Sequence, residues 1–359
     1  MSSPKTISAH RGALENPPNR FEKLHLEPDE DWYPESDEAG GRPPGPRTQF
    51  FKDHSQTVIS RTDSPDVGFM TSLNPYRGCE HGCIYCYARP THEYLGFSAG
   101  LDFESKIMVK EDAPELLRKE LSSPKWQPNV IFMSGVTDCY QPVERKLKLT
   151  RRCLEVLAEF RNPVFIITKN HLVTRDIDVL GELARHGAVS VWLSITTLDA
   201  ELRKIMEPRT SPPAARLAAL RELAAAGIPV GVNVAPMIPG LTDHEIPAIL
   251  KAAYEAGALA AGYTVVRLPY AVAPLFEQWL TTHFPDRKEK VLNRLRAMHD
   301  GKLYKSEWGK RFTGGGIFAE QVAQMFQVAR RQAGFSEEPF EPSTAAFRRA
   351  GGTQLSLFS

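Results

Sequence analysis

The sequence predicts an α/β fold with a parallel sheet, either open or closed into a barrel. Three observations predict it. Short apolar runs rich in β-branched and aromatic residues recur at spacings of roughly 25–40 residues, each flanked by turn residues. Stretches with apolar residues three or four apart lie between them, as amphipathic helices require. The runs are nearly continuous in apolar character, which suits a sheet covered on both faces. Such a β-α-β rhythm needs helical crossovers between parallel strands.

Taken in order, the strand candidates are Thr57–Ser60, Phe69–Leu73, Val130–Met133, Val164–Ile167, Val189–Ile195, Val230–Val234 and Tyr263–Val266. Helical patterns cover Leu147–Phe160, Ile177–His186, Ala214–Ala226 and Ile246–Ala256. Residues 1–55 read as a largely disordered arm, rich in proline and acidic residues, which a few aromatics would pin to a domain. Residues 56–275 hold the sheet. Residues 276–335 read as a helical extension, and Asp286–Arg311 carries nine Lys/Arg against four Asp/Glu. Residues 336–359 read as a flexible tail.

Composition bounds the function. The 359 residues carry a net charge of +1, which excludes a globally basic nucleic-acid coat. Mean hydropathy is −0.32, and no apolar run approaches the ~18 residues of a membrane span. The first residues lack the apolar core of a secretory signal, so a cytoplasmic protein with no membrane contact is expected. Five cysteines are an odd number, and three fall within eight residues, a pattern of metal binding in a reducing compartment.

Those three form Cys79-Glu80-His81-Gly82-Cys83-Ile84-Tyr85-Cys86, a C-x3-C-x2-C spacing in a turn-rich loop after a predicted strand. Three thiolates can hold three irons of a four-iron cluster and leave the fourth iron open. Gly78 and Gly82 allow the loop to fold tightly around the sulfurs. The alternative is a structural zinc with His81 or His92 as fourth ligand. Such sites usually come as two dyads, and no second dyad follows here.

With this spacing and an aromatic before the last cysteine, the segment from about Ser72 to Arg267 resembles the radical S-adenosylmethionine superfamily. The resemblance implies a partial (β/α)6 TIM-like barrel. It also implies a [4Fe-4S] cluster on Cys79, Cys83 and Cys86 that binds S-adenosyl-L-methionine and cleaves it to a 5′-deoxyadenosyl radical. An electron donor such as flavodoxin or ferredoxin would reduce the cluster. The nearer likeness is to the spore photoproduct lyase group, often labelled DNA-repair-photolyase-like. It runs through Tyr85-Cys86-Tyr87, Ser134-Gly135-Val136-Thr137-Asp138, Thr168-Lys169 and Ser194-Ile195. By that likeness Tyr85 lies near the adenine, and Ser134, Thr137, Lys169 and Ser194 hold the polar end or ribose of S-adenosylmethionine. Tyr87 and Asp138 lie near the substrate or the radical path. Asn233 and Arg267, at the ends of the next two strands, join the cofactor wall.

One departure stands out. Val136 occupies the position where spore photoproduct lyase has its hydrogen-returning cysteine. Cys139, three residues later, is the candidate substitute, or else a buried small hydrophobe as Cys153 is expected to be. The run Gly314-Gly315-Gly316 is not a phosphate loop, because no strand precedes it and no Lys-Ser/Thr follows.

The chain finishes Gly351-Gly352-Thr353-Gln354-Leu355-Ser356-Leu357-Phe358-Ser359. Within it, Gln354-Leu355-Ser356-Leu357-Phe358 resembles the pentapeptide by which bacterial replication and repair proteins dock on the DNA sliding clamp. Leu355, Leu357 and Phe358 would enter an apolar pocket and Gln354 would orient the peptide. The expectation is thus a radical enzyme acting on damaged or modified DNA, nucleoid-associated through the clamp. A radical enzyme acting on RNA or protein, and a non-catalytic zinc-binding clamp adaptor, are the alternatives.

Overall fold

The computed structural model describes residues 11–21, 46–336 and 340–349. Its main sheet comprises β2 (Ile59–Arg61), β3 (Thr71–Leu73), β6 (Ile131–Met133), β7 (Val164–Thr168), β8 (Val189–Ser194), β9 (Val230–Met237) and β10 (Ala260–Val265). Their order is β10-β9-β8-β7-β6-β3-β2. All neighbours from β3 to β10 pair in parallel, and β2 caps the edge antiparallel to β3. Six parallel strands taken in chain order are the expected partial (β/α)6 arrangement. A smaller sheet joins β1 (Gln49–Lys52) and β4 (Tyr76–Arg77) to the two sides of β5 (Lys106–Val109).

The two faces of the main sheet differ in chemistry. Val164, Ile166, Val191, Leu193, Val230 and Val232 lie under the crossover helices and are buried. Leu154, Leu157 and Phe160 of helix Leu149–Phe160 cover part of that face, with Cys153 beside them as a buried hydrophobe. Truncating such a core Leu to Ala costs about 2–5 kcal/mol. The other face carries an aromatic ladder. Phe69 stacks on Phe132 at 4.0 Å, Phe132 on Phe165 at 5.4 Å, and Phe165 meets Trp192 at 5.5 Å. The Trp192 indole needs Gly231 beneath it, since a Cβ there would stand 2.4 Å from the ring.

After β10 the chain forms helices Val272–His283, Pro285–Met298 and Gly316–Ala333. The segment between the last two returns to the sheet, where Phe312 accepts a hydrogen bond from Val265 N–H at 2.7 Å.

Two stretches outside the barrel pack against it. Residues 11–21 form a strap across the cysteine loop, with Arg11, Ala13 and Asn19 buried. What holds the strap is polar: Gly12 and Ala13 N–H donate to the Glu104 carboxylate at 3.0 and 2.8 Å, and Arg11 donates to Glu104 O at 2.6 Å. A rule that counts apolar area does not register such contacts. Residues 340–349 likewise run along the barrel. Ser343 and Arg348 N–H donate to Gly187 O and Phe160 O, and Phe347 stacks on Phe160. These partners precede β8 and β7, at the opposite end of the strands from the cysteines. Gln354, Leu355, Ser356, Leu357 and Phe358 lie outside the described residues.

Candidate active site

The cysteine loop follows β4, beyond the C-terminal end of the first barrel strand β3. Its turns need left-handed backbone at Gly78 (φ 80°) and Gly82 (φ 66°). A Cβ at Gly82 would also meet the Glu104 carboxylate at 2.7 Å. That carboxylate pairs with Arg89 at 2.5 Å, and both side chains are fully buried. Arg89 in turn donates to the carbonyls of Cys83 (2.9 Å) and Gly100 (3.0 Å). The loop is therefore fixed from behind by a buried ion pair.

Cys79, Cys83 and Cys86 are free thiols that line one cavity of about 600 Å³. Ser134, Thr137, Asp138, Lys169, Ser194, Asn233 and Arg267 also line it, so the sheet wraps around this space. Burial pushes all three thiols above the ordinary range, so bare they stay protonated, and a bound metal would displace the protons. Among the described residues no three His, Cys, Asp or Glu side chains are placed to share one metal ion. What the thiols share is the cavity wall. Three soft sulfurs from one enclosed loop are a donor set that fits an iron–sulfur cluster.

The loop is tied to the strand ends by His81, whose Nδ1 lies 3.4 Å from Asp138 Oδ2. Asp138 also accepts from Thr168 Oγ1 (2.8 Å), Lys169 N–H (2.8 Å) and Tyr140 N–H (2.9 Å). Burial alone would raise its carboxyl, but His81 and the N–H donors outweigh burial and hold it below the usual range. Asp138 lines the cavity as a fully engaged brace.

A second buried carboxylate lies behind Lys169. Glu207 accepts from Thr196 Oγ1 at 2.7 Å and from Tyr85 and Arg216. Burial opposes its charge, yet Arg216, Lys169 and the Tyr85 hydroxyl hold it at about 2. Lys169 Nζ lies 3.7 Å from Glu207 and donates to Ala235 O at 2.8 Å. Tyr85, placed by likeness near the adenine, lines the cavity with its hydroxyl turned to Glu207.

The remaining candidates divide. Ser194 and Asn233 pair in register across β8 and β9, both line the cavity, and neither side chain hydrogen-bonds to another described residue. Thr137 commits its proton to Tyr76 O at 2.9 Å, and Ser134 Oγ accepts from Cys139 N–H at 2.9 Å, so both shape the loop they belong to. Tyr87 donates to Gly135 O at 2.6 Å and remains half exposed. Arg267 lies over the Tyr87 ring at 4.3 Å and over the Phe312 ring at 4.3 Å. Cys139 does not reach the cavity. It is fully buried in the core, and burial pushes its thiol well up. Val136, which by likeness stands where a hydrogen-returning cysteine was expected, lines the cavity instead.

Sequence reasoning missed Glu104, Arg89 and Glu207, which no motif marks. His81 it read only as a zinc ligand. Arg311 and Phe312, at the end of the basic segment, also line the cavity.

The model of the Radical SAM superfamily matches residues 73–253, and the chain belongs to that superfamily. The family uses a [4Fe-4S] cluster and S-adenosylmethionine. An uncharacterised protein of Mycobacterium tuberculosis is 37% identical over 233 residues, 64% of this chain and 67% of the relative. One from Methanocaldococcus jannaschii is 31% identical over 199 residues, 55% of this chain and 71% of the relative. Spore photoproduct lyase complexed with dinucleoside spore photoproduct has a similar fold, with a TM-score of 0.54 at 17% identity, covering 79% of this chain and 77% of that one. No helix among the described residues is long and apolar enough to cross a membrane.

Proposed function

We propose that this chain is a radical enzyme acting on damaged or modified bases of DNA. The observation that carries the reading is the single cavity that joins the three cysteine thiols to the uncommitted Ser194 and Asn233 side chains. When bound and reduced by one electron, the cluster and S-adenosylmethionine supply a carbon radical that removes a hydrogen atom from the substrate. Cys79, Cys83 and Cys86 hold the cluster. Ser194, Asn233 and Lys169 receive the polar groups of S-adenosylmethionine. Glu207 and Asp138 keep Lys169 and the loop in place, and the aromatic ladder keeps water from the sheet face.

Tyr87, beside Val136 at the cavity, is the polar side chain placed to meet the substrate. With Cys139 in the core, hydrogen return by that thiol is not part of the proposal, and the reaction differs from cysteine-assisted dimer reversal. DNA is favoured by the fold shared with a lyase complexed with a dinucleoside photoproduct, and by the Gln354–Phe358 sequence, which we assign to docking on the bacterial sliding clamp. A flavodoxin or ferredoxin is the proposed reductant.

The test is 5′-deoxyadenosine formation by reduced, reconstituted protein with irradiated or alkylated DNA, undamaged DNA, or RNA. Stimulation by lesion-bearing DNA supports the proposal. Stimulation by RNA alone moves the substrate to RNA.

A further inference from the structure

Arg267 is an unusual cation. It sits in the cavity wall between the faces of Tyr87 and Phe312, and neither a hydrogen bond nor an ion pair joins it to any described residue. Ring faces hold a guanidinium flat and leave its edge, with five donors, uncommitted. Burial lowers its pKa, and Tyr87 and Tyr304 offset only part of that. Arg311, by contrast, is paired with Asp66 at 2.6 Å. A planar, unpaired fork in a partly closed site is suited to bidentate binding of a phosphate or carboxylate.

The rings around it choose between these. Arg311 lies over Phe312 at 5.0 Å and over Trp308 at 5.4 Å, so the order Tyr87, Arg267, Phe312, Arg311, Trp308 alternates ring and cation. Trp308 is 53% exposed. Three residues beyond Arg267, at most about 11 Å of chain, a second stack begins. Arg20 lies over Tyr270 at 4.1 Å, over Phe21 at 4.7 Å and over Tyr94 at 5.3 Å. Tyr94 and Tyr270 are 72% and 67% exposed. Exposed rings interleaved with arginines are what a sequence-tolerant binder of unpaired bases presents. An acidic peptide would use the arginines and leave the rings without a role.

We propose that the surface around Arg267 is a track for single-stranded nucleic acid, in which Trp308, Tyr270 and Tyr94 stack bases while Arg267, in the cavity wall, receives the phosphate beside the base that enters the cavity. The inference deepens the reading above and rests on it for the chemistry, though not for the binding. The adjoining Asp286–Arg311 segment, with nine Lys/Arg against four Asp/Glu, adds long-range attraction.

Fluorescence anisotropy with the full chain tests it, using labelled oligothymidine and oligouridine of about 15 nucleotides, a matching duplex, and polyglutamate as competitor. Single strands should bind more tightly than the duplex, and the preferred sugar identifies the substrate as DNA or RNA. Trp308→Ala and Tyr270→Ala should each weaken binding about tenfold. Arg267→Ala should reduce the slope of log K against log salt by about 0.7. Thermal unfolding checks that each variant folds, and Tyr94→Leu replaces any that does not. Equal or tighter duplex binding, variants that bind like the parent, or displacement by polyglutamate as efficient as by oligothymidine would overturn the track. Because binding needs no turnover, the two readings fail separately. Loss of the track with 5′-deoxyadenosine still formed leaves the enzyme; binding without any 5′-deoxyadenosine leaves the track.

Discussion

Gly12 lies so close to the cysteine loop that a Cβ at that position would stand 1.7 Å from the carbonyl oxygen of Gly82. The N-terminal strap is therefore part of the scaffold that shapes the loop. Gly12→Ala must displace either the strap or the loop. It is expected to lower stability by about 1–3 kcal/mol and to reduce the iron bound per chain. Gly68→Ala, with nothing within 4 Å of the added methyl, is the matched control. Equal iron content and melting temperature in the two variants would show that the strap does not support the loop.

Glu104 carries the same argument into the core. Its carboxylate receives Gly12, Ala13 and Arg89, and neither Glu104 nor Arg89 touches solvent. Glu104→Ala leaves a buried guanidinium without its partner, which costs about 3–5 kcal/mol. Urea unfolding should show the loss as a lower midpoint, together with failure to retain iron. A midpoint within error of the parent would contradict it.

Much of the fold was legible in the sequence, and for a physical reason. Parallel strands covered on both faces leave continuous apolar runs, and β7, β8 and β9 fall almost where those runs predict. The cysteine spacing was legible because a loop holding three sulfurs has few workable lengths. Lys169, Ser194 and Asn233 were assigned by likeness to a family, and the structure brings all three to the wall of one cavity. Glu207 and Glu104 could not be placed, since their importance comes from partners far away in sequence. The packing of residues 11–21 was not legible, because it rests on polar contacts with Glu104, Asp102 and Glu93, which composition does not record. Cys139 stayed open between a hydrogen donor and a buried small hydrophobe, because spacing along a loop does not say which way a side chain turns; the structure buries it in the core.

Ser194 and Asn233 are expected to bind S-adenosylmethionine without supporting the fold. Ser194→Ala and Asn233→Ala should each raise its dissociation constant roughly two- to tenfold, with iron content and melting temperature unchanged. Isothermal titration on reconstituted protein measures this. Unaltered affinity in both variants would remove them from the cofactor site.

Glu207 gives the fold an acid dependence. Its pKa in the folded chain, about 2, lies below the ordinary value of 4.5. Its contribution is therefore fully present above pH 4.5 and is lost as pH falls toward 2. The contribution is on the order of 3 kcal/mol. Urea midpoints measured from pH 6 down to pH 3 should fall more steeply for the parent than for Glu207→Gln. Parallel curves would exclude Glu207 as the source.

The central claim is that Cys79, Cys83 and Cys86 hold a cluster that cleaves S-adenosylmethionine in this cavity. The direct measurement is iron, sulfide and 5′-deoxyadenosine on anaerobically reconstituted, dithionite-reduced protein, beside the three single Cys→Ala variants. Four irons and four sulfides per chain are expected, with nucleoside product in the parent and none in any variant. Tightly bound zinc in place of iron, or product that survives loss of one of the three cysteines, would contradict the account.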